Sequence, residues 1–312
     1  MEEGRPIEPN PGAAGSDQEE LAMTAKPIVA ATDGSEPSLQ AVEWAAREAV
    51  LRGAPLRIVA VAAMPPRMAD RRESPEINTV ADVLTSNRDA ALSAAAGRAA
   101  AAAPDILIMT DVLTGPPAQA ITDSGSGALM LVVGSRGMGT FAAIVLGSVS
   151  RYAASNAPCP AVVVRDEPES PRGVVAVGLG DLDEGSAALT FAFEEAVARK
   201  ASLTVIHAFD TPPADLTRPG KSFAMPSLRH AEEEAGKRLE ELLADWRRKY
   251  PDVHVSQDVV HGHPGRALVS LSEQADLVVI GRHGNSGLPG PGAVRHAVLN
   301  HAHGPVAVVP SA

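Results

Sequence analysis

The chain has 312 residues, a formal net charge of −11 at pH 7 and 45% hydrophobic residues, of which few are aromatic. This length exceeds that of an ordinary single domain and predicts two domains. The acidic balance argues against broad affinity for nucleic acids or anionic membranes, because binding to these polyanions needs clustered positive charge. The single cysteine, Cys159, excludes an intrachain disulfide and is typical of a reducing compartment.

The first residues carry no sign of a fold or of a membrane anchor. Residues 1–25 are rich in Glu, Pro, Gly and Ala, and we expect a disordered acidic tail there. This stretch lacks the basic start and apolar core of a signal peptide, and no apolar run in the chain approaches the length that crosses a bilayer. We therefore expect a cytoplasmic protein that binds neither membranes nor nucleic acids.

After this tail the chain repeats itself, and such a repeat predicts the architecture before any single element is assigned. In the first half we predict strands that begin at Ile28 and that cover Leu56–Val61, Ile106–Val112, Leu129–Gly134 and Ala161–Val164. In the second half the matching strands begin at Val174 and cover Leu203–Ala208, Val253–Val259, Leu277–Gly281 and Val306–Val309. Helical segments separate the strands, and this alternation predicts α/β domains with parallel sheets and right-handed crossovers.

The domain boundaries follow from this repeat and from a change in composition between the halves. We expect a first domain at residues 26–166, a linker at 167–172 that contains Pro168 and Pro171, and a second domain at 173–312. Isolated five-stranded sheets leave edges exposed, and pairing of the two domains inside the chain would cover them.

A glycine-rich run follows the fourth strand of the first half. Gly134-Ser-Arg-Gly137 is followed by nine residues and then by Gly147-Ser148-Val149-Ser150. A strand that ends in such a loop and leads into a helix presents free backbone N–H groups, which favour a bound phosphate. The alternative interpretation is that the glycines only shape two turns. If the strand order is 3-2-1-4-5, Asp33 after the first strand lies beside this loop.

With these residues assembled, the chain resembles the tandem, ATP-binding branch of the universal stress protein family. The resemblance rests on five segments of the first half: Asp33-Gly34-Ser35, Arg52–Leu56, Val132–Gly137, Leu146–Arg151 and Ala157–Pro160. It implies two tandem five-stranded parallel sheets of order 3-2-1-4-5, with helices on both faces, in a Rossmann-like fold of the adenine nucleotide alpha hydrolase-like type. It also implies that the two domains pack as a pseudo-dimer inside the chain, with Ala161–Val164 and Val306–Val309 near the interface.

The resemblance also implies a ligand and its contacts. ATP, accompanied by Mg²⁺, would bind in the first domain. Its ribose and phosphates would contact the glycine-rich run at Gly134, Gly137, Gly147, Ser148, Val149 and Ser150. Asp33 would lie at the nucleoside end, and the backbones of Ala31 and Val61 would contact adenine.

The second half departs from this pattern. Gly180 matches Asp33, although Asp181 is adjacent, and Gly281-Arg-His-Gly284 is followed by Gly292 after seven residues instead of nine. Ala293 and Arg295 replace both serines, while Pro289 and Pro291 each remove an N–H from the loop. We expect this half to bind ATP poorly or not at all, although Arg295 and His296 could hold a smaller phosphate.

Three further groups of residues admit two interpretations each. Arg136 and Arg151 either reach phosphate oxygens or are solvated. The pairs His261/His263 and His301/His303 suggest a metal site, but surface or loop histidines are favoured because no cysteine accompanies them. Residues 64–78 form either a lid over the nucleotide or a connector.

The leading functional hypothesis is a nucleotide-dependent stress-response or regulatory protein with one competent ATP site. No P-loop lysine and no motif-placed carboxylate base occur, so we assign no catalytic residue and no metal ligand, and expect at most slow hydrolysis. The alternatives are a slow ATPase or adenylate-transferring enzyme on the same scaffold, and a ligand-free interaction module. A homodimer and an unidentified protein partner stay open.

Overall fold

A computed structural model describes residues 25–62, 75–137, 146–165, 170–180, 186–209, 228–282 and 292–311 of the chain. Within these ranges ten strands form a single sheet, and eight helices cover it. The expected tail, except for Ala25, lies outside the described residues, and so do residues 64–74 of the expected lid and residues 167–169 of the expected linker.

The first half alternates strands and helices in the predicted order. Its elements are β1 (Ile28–Ala31), α1 (Glu36–Arg52), β2 (Leu56–Ala62), α2 (Pro75–Ala102), β3 (Ile108–Thr114), α3 (Pro117–Asp123), β4 (Met130–Gly134), α4 (Ser148–Asn156) and β5 (Ala161–Val164). Pro37 near the start of α1 and Gly53 after its end, in the left-handed conformation, are typical of the two ends of a helix.

The second half repeats this sequence of elements. They are β6 (Val174–Leu179), α5 (Ser186–Arg199), β7 (Ser202–Phe209), α6 (Leu228–Lys249), β8 (Val255–His261), α7 (Pro264–Ser272), β9 (Leu277–Gly281), α8 (Ala293–His301) and β10 (Val306–Val309). Among the helices of the described ranges, none has both the length and the apolar character needed to cross a membrane.

The ten strands lie in the order β3-β2-β1-β4-β5-β10-β9-β6-β7-β8. Each half therefore has the predicted order 3-2-1-4-5 with parallel neighbours, which confirms the α/β class and the topology of the halves. The two expected sheets are joined into one, because β5 and β10 pair in antiparallel orientation. Both strands are fully buried runs of Val and Ala, and their pairing covers the apolar edge that each half would otherwise expose.

The strands are apolar throughout because both faces of the sheet are covered. Ile28 and Ala30 of β1 face the core beneath α1, α2, α5 and α6, whereas Val29 and Ala31 face the core beneath α3, α4, α7 and α8. Cys159 is buried on the second side as a free thiol, and burial raises its pKa to about 11. This side chain therefore behaves as a small apolar residue.

The two halves are related by an internal two-fold symmetry that is visible in the strand register. Ile28 pairs with Leu56 in the first half, and Val175 pairs with Leu203 in the second. Across the junction, Ala161 lies opposite Val308 and Val163 lies opposite Val306, so the two strands contribute alike.

Beside this junction, four charged side chains of α1 and α5 form a closed ring. The Arg52 guanidinium lies 2.7 Å from Glu48 and 2.5 Å from Glu195. The Arg199 guanidinium lies 2.5 Å from Glu48 and 3.1 Å from Glu195. Both carboxylates are 0% exposed, and both arginines are 15% exposed. Each guanidinium thus contacts one buried carboxyl group from each half and so bridges the two halves.

Aromatic rings complete this interface with the same symmetry. Arg52 lies over the ring of Phe191 and Arg199 lies over the ring of Trp44, each 5.4 Å from the ring centroid. In both cases the ring belongs to the other half of the chain. Cation–π contacts of this kind gain strength where water is excluded, so the arginines are held by charge on one side and by an aromatic face on the other.

We predict that the substitution Arg52→Met strongly destabilises the protein. It leaves two buried carboxylates with one guanidinium, and breaking a buried ion pair in this way costs about 3–5 kcal/mol. Urea-induced unfolding at neutral pH measures the effect. Arg57→Met is the matched control, because its partner Asp111 is 48% exposed and such surface pairs contribute about 0–1 kcal/mol. Equal losses in the two variants would contradict a special role for the ring.

Glu195 should also make the stability depend on pH. Burial, followed by the neighbouring Glu48 carboxylate, raises the pKa of Glu195 from an ordinary 4.5 to about 7. Between these two pKa values the folded protein holds a proton on Glu195 that the unfolded chain releases. Proton binding therefore stabilises the fold; the effect is complete below the pKa of the unfolded chain and is lost as the pH rises through the pKa of the folded protein. Relative to Glu195→Gln, which cannot titrate, we expect the free energy of unfolding to fall by roughly 1–3 kcal/mol between about pH 5 and pH 8. A difference that is independent of pH would refute the raised pKa.

Candidate functional site

A cavity of about 540 Å³ lies at the carboxyl ends of β1 and β4. In a parallel sheet of this topology the strand order reverses between these two strands, which opens a crevice. The cavity is lined by Ala31, Thr32, Asp33, Ser38, Ile121, Val133, Gly134, Arg136, Gly137, Leu146, Gly147, Ser148, Val149, Ser150 and Arg151. Residues about a hundred positions apart in sequence are thus brought together, as the predicted strand order requires.

All of the ligand contacts expected from the sequence line this cavity except Val61. Val61 lies on β2, one strand away from the crevice, and packs half-buried against the core on the α3 and α4 side. Ala31, at the end of β1, is buried at the edge of the cavity.

The turn between β1 and α1 holds the Asp33 carboxylate in place. Its Oδ1 accepts hydrogen bonds from the Ser35 N–H at 3.0 Å and from the Ser35 hydroxyl at 2.5 Å. The Ser38 hydroxyl donates to the Ser35 carbonyl at 2.8 Å, and its oxygen lies 3.1 Å from the Thr32 hydroxyl. Because a serine hydroxyl has one proton to donate, Thr32 is the donor to Ser38.

Sequence reasoning missed Thr32 and Ser38, which are both buried and line the cavity. The Asp33 N–H also donates to the Ser38 oxygen, at 3.3 Å. The signal was present in the small polar residues that follow an apolar strand and lead into a helix, a pattern that is typical of hydrogen-bonded turns. Ile121 and Leu146, which form part of the apolar lining, carry no local signal of this kind.

Two glycines of the loop after β4 are needed for close approach. A Cβ on Gly134 would lie 2.6 Å from the carbonyl oxygen of Pro37, which belongs to the first turn of α1. A Cβ on Gly137 would overlap Oδ2 of Asp33. The absence of a side chain at both glycines therefore allows the loop after β4 to lie close to the turn between β1 and α1, which is a role beyond turn formation.

The N-terminus of α4 forms one wall of the cavity with uncapped backbone N–H groups. The Gly147 N–H donates to Ser135 at 2.8 Å, and the first helical bond runs from Arg151 to Gly147 at 3.0 Å. The intervening N–H groups of Ser148, Val149 and Ser150 precede that bond, and the N-cap glycine has no side chain to accept from them. Such a helix start attracts anions.

The two serines of this helix differ in what they offer a ligand. Ser150 is buried, and its hydroxyl donates to the Gly134 carbonyl at 2.6 Å. Its one proton is therefore used to tie the helix to the end of β4. Ser148 lines the cavity at the first position of α4 and is exposed. Its hydroxyl is the better placed of the two to meet a ligand.

In the second half, Arg295 takes the position of Ser150. Its guanidinium donates a hydrogen bond to the Arg282 carbonyl at 2.7 Å. Arg282 matches Ser135 of the first half, and the Ser135 carbonyl accepts instead from the backbone N–H of Gly147. The N-cap Gly292 is left-handed, with a φ of 86°, whereas Gly147 is extended, with a φ of −68°. Burial and the neighbouring Arg282 lower the pKa of Arg295. The start of α8 thus differs from that of α4 in backbone and in charge.

Several second-half residues that the sequence analysis singled out lie outside the described part of the chain, so they have no structural comparison with the first half. Asp181, His283, Gly284, Pro289 and Pro291 lie outside the described residues, whereas Gly180 and Gly281 lie at the ends of β6 and β9. Among the residues that the structure does describe, no group of three or more His, Cys, Asp or Glu side chains could hold a metal ion.

Comparison with known proteins establishes the family. The model of the universal stress protein family matches residues 24–165 and 172–310. The chain is 35% identical over 307 residues to universal stress protein MT2052 of Mycobacterium tuberculosis, across 90% of this chain and 94% of that protein. It is 32% identical over 294 residues to a universal stress protein of Mycolicibacterium smegmatis, across 90% of this chain and 96% of that protein.

The fold agrees with this relationship. The crystal structure of a universal stress protein from Archaeoglobus fulgidus superposes with a TM-score of 0.64 at 20% identity, and the match covers 92% of this chain and 99% of that one. The chain belongs to the universal stress protein family, and it carries two copies of the family's fold in tandem.

We predict that alanine at the two loop glycines has unequal effects on stability. Gly134→Ala places a methyl group against backbone, which must shift, and overpacking of this kind costs roughly 1–3 kcal/mol. Gly137→Ala meets the end of the Asp33 side chain, which can rotate away, so we expect a loss below about 1 kcal/mol. Urea unfolding of both variants measures the difference. A larger loss for Gly137→Ala would contradict this geometry.

Proposed function

We propose that the protein is a nucleotide-dependent stress-response or regulatory protein that binds ATP in the cavity between β1 and β4. The observation that carries this proposal is the convergence of the glycine-rich run, the uncapped start of α4 and Asp33 on one cavity. The phosphates would lie against the N–H groups of Ser148, Val149 and Ser150, with Gly134, Gly137 and Gly147 allowing close approach. Asp33 would lie at the nucleoside end.

The adenine contacts and the metal are part of the same proposal. The backbone of Ala31, and that of Val61 across the top of the sheet, would contact adenine. Mg²⁺ would enter as the ion that accompanies ATP and would be held mainly by phosphate oxygens, because Asp33 is the one carboxylate that lines the described cavity.

We further propose that the second half has a structural role in place of nucleotide binding. Arg295 fills the place of Ser150 and donates to the Arg282 carbonyl, and Ala293 replaces the Ser148 hydroxyl. The division into domains at 26–166 and 173–312, joined by 167–172, and a cytoplasmic location belong to this proposal. The pairing of β5 with β10 makes the two halves a pseudo-dimer within one chain, and further self-association or a protein partner would act through other surfaces.

The test is ATP binding by the purified protein. At ATP concentrations about a hundredfold above Kd, we expect stabilisation by about 2.7 kcal/mol and a rise of a few degrees in Tm. Ser148→Ala should lower the affinity by roughly three- to tenfold, because it removes one hydrogen bond to a charged group. Ser256→Ala on β8 is the matched control, since its hydroxyl pairs with Thr204 far from the cavity.

Mass analysis of nucleotide released from denatured protein provides a second measurement. We expect adenylate in the unaltered protein and in Ser256→Ala, and less in Ser148→Ala and Gly137→Ala. Equal amounts in all four proteins would place the nucleotide elsewhere. If no nucleotide is released and ATP leaves Tm unchanged, the protein does not bind ATP and the proposal is rejected.

A further inference from the structure

Two arginines, Arg136 and Arg151, line the cavity. Arg136 lies between β4 and Gly137, and Arg151 lies in the first turn of α4, next to Ser150. Both line the cavity together with the uncapped N–H groups. Both are exposed, so neither is required to fill the core.

Little negative charge lies near these arginines in the part of the chain that the structure describes. Arg52, Arg57, Arg98 and Arg199 form ion pairs, whereas no ion pair of Arg136 or Arg151 occurs among the residues that the structure describes. Residues 138–145, which connect the two arginines to each other along the chain, contain no acidic residue in the sequence. Asp33 is the one acidic residue in the lining, so the lining carries a net positive charge in a protein whose formal net charge is −11.

The position of Arg151 is unfavourable for the helix itself. Cations near a helix N-terminus oppose the helix dipole, which prefers anions there by about 0.3–1 kcal/mol. The guanidinium turns back toward this end, where its contact with the Leu146 carbonyl is long, at 3.4 Å. Arg136 approaches the same end, because its Cα would lie 3.7 Å from a Cβ on Gly147. Both arginines and the start of α4 therefore line the same cavity, where a multiply charged anion would meet several sources of positive potential.

We propose that Arg136 and Arg151 make this site selective for nucleoside polyphosphates over nucleotides with a single phosphate group. The inference rests on the proposed nucleotide binding and adds the basis of selectivity. Both arginines would form charge-assisted hydrogen bonds to the outer phosphates of ATP or ADP. A cyclic nucleotide carries one negative charge on its phosphodiester, and AMP places its phosphate close to the ribose, so both would gain less from these side chains.

The second half supports a role tied to the ligand and not to the fold. The matching position in α8, directly after Arg295, is His296, which is exposed and contacts Asn300 on the same helix. The helix and its sheet are formed there without an arginine at this position. The arginine at position 151 is therefore not needed to build this part of the fold.

The experiment compares the affinities of ATP, AMP and cyclic AMP for the full chain by calorimetry, without added Mg²⁺ so that the phosphate charges are unmasked. For Arg136→Gln and Arg151→Gln we expect a loss of about tenfold in ATP affinity and a change of less than about twofold for cyclic AMP. The ratio of the two affinities should therefore fall. The slope of ATP affinity against salt concentration should also decrease. Arg248→Gln, which removes an exposed arginine from α6, is the control and should change neither quantity.

The measured affinities distinguish a failure of the selectivity proposal from a failure of nucleotide binding. If both variants bind ATP and cyclic AMP with an unchanged ratio, the selectivity proposal is overturned while nucleotide binding stands. An equal loss for all three nucleotides also overturns it, because it would assign the arginines a general structural role. Failure of the unaltered protein to bind any of the three nucleotides would remove the proposed function itself, and the selectivity proposal with it.

Discussion

The antiparallel pairing of β5 with β10 is the contact on which the rest of the molecule depends. Each half has an apolar four-residue strand at its edge, and neither strand has a second neighbour until the other half supplies one. An exposed edge of this kind is prone to aggregation, so the repeat protects itself by pairing its two copies. The pairing turns two five-stranded sheets into one of ten strands and fixes the position of the two halves relative to each other.

The ring of Glu48, Arg52, Glu195 and Arg199 adds specificity to this contact. Backbone pairing between two runs of Val and Ala leaves the register weakly determined, since neighbouring side chains are alike. The ring closes only when α1 and α5 lie in one relative position, in which each guanidinium reaches both carboxylates and one aromatic face. Buried charges of this kind contribute little net stability, but a misaligned arrangement would leave them unpaired. The ring therefore disfavours the wrong registers more than it stabilises the correct one.

The sequence predicted the elements of each half because hydrophobic runs and glycine punctuation are local signals. The third strands show the limit of such signals. Ile106 and Val253 were expected to begin strands, but β3 and β8 begin at Ile108 and Val255. Both apolar residues pack into or against the core just before the strand, so hydrophobicity marks burial and not backbone pairing. The pairing of the two domains inside the chain was expected and is confirmed, but the continuous ten-stranded sheet and the Arg–Glu ring were not predicted, because both depend on contacts between distant segments.

The candidate site shows the same division between local and distant information. The glycine-rich run and Asp33 could be named because their spacing is a local pattern, and the strand order then places them at one crevice. The roles of Thr32, Ser38 and Ser150 could not be read in this way, since they depend on hydrogen bonds that cross turns or connect a helix to a strand. Sequence reasoning treated Ser150 as a phosphate donor, but the structure uses its proton to join α4 to β4.

That bond marks one structural difference between the two halves. A serine at position 150 is small enough to donate to the Gly134 carbonyl, which leaves the helix start open and its N–H groups free for an anion. An arginine at the matching position 295 is too long for this contact and instead folds back to the Arg282 carbonyl beside the helix start. Its guanidinium therefore lies close to Gly292, the N-cap of α8. The same backbone fold therefore places a small hydroxyl at this position in one half and a guanidinium in the other, and neither helix start is capped by a side chain.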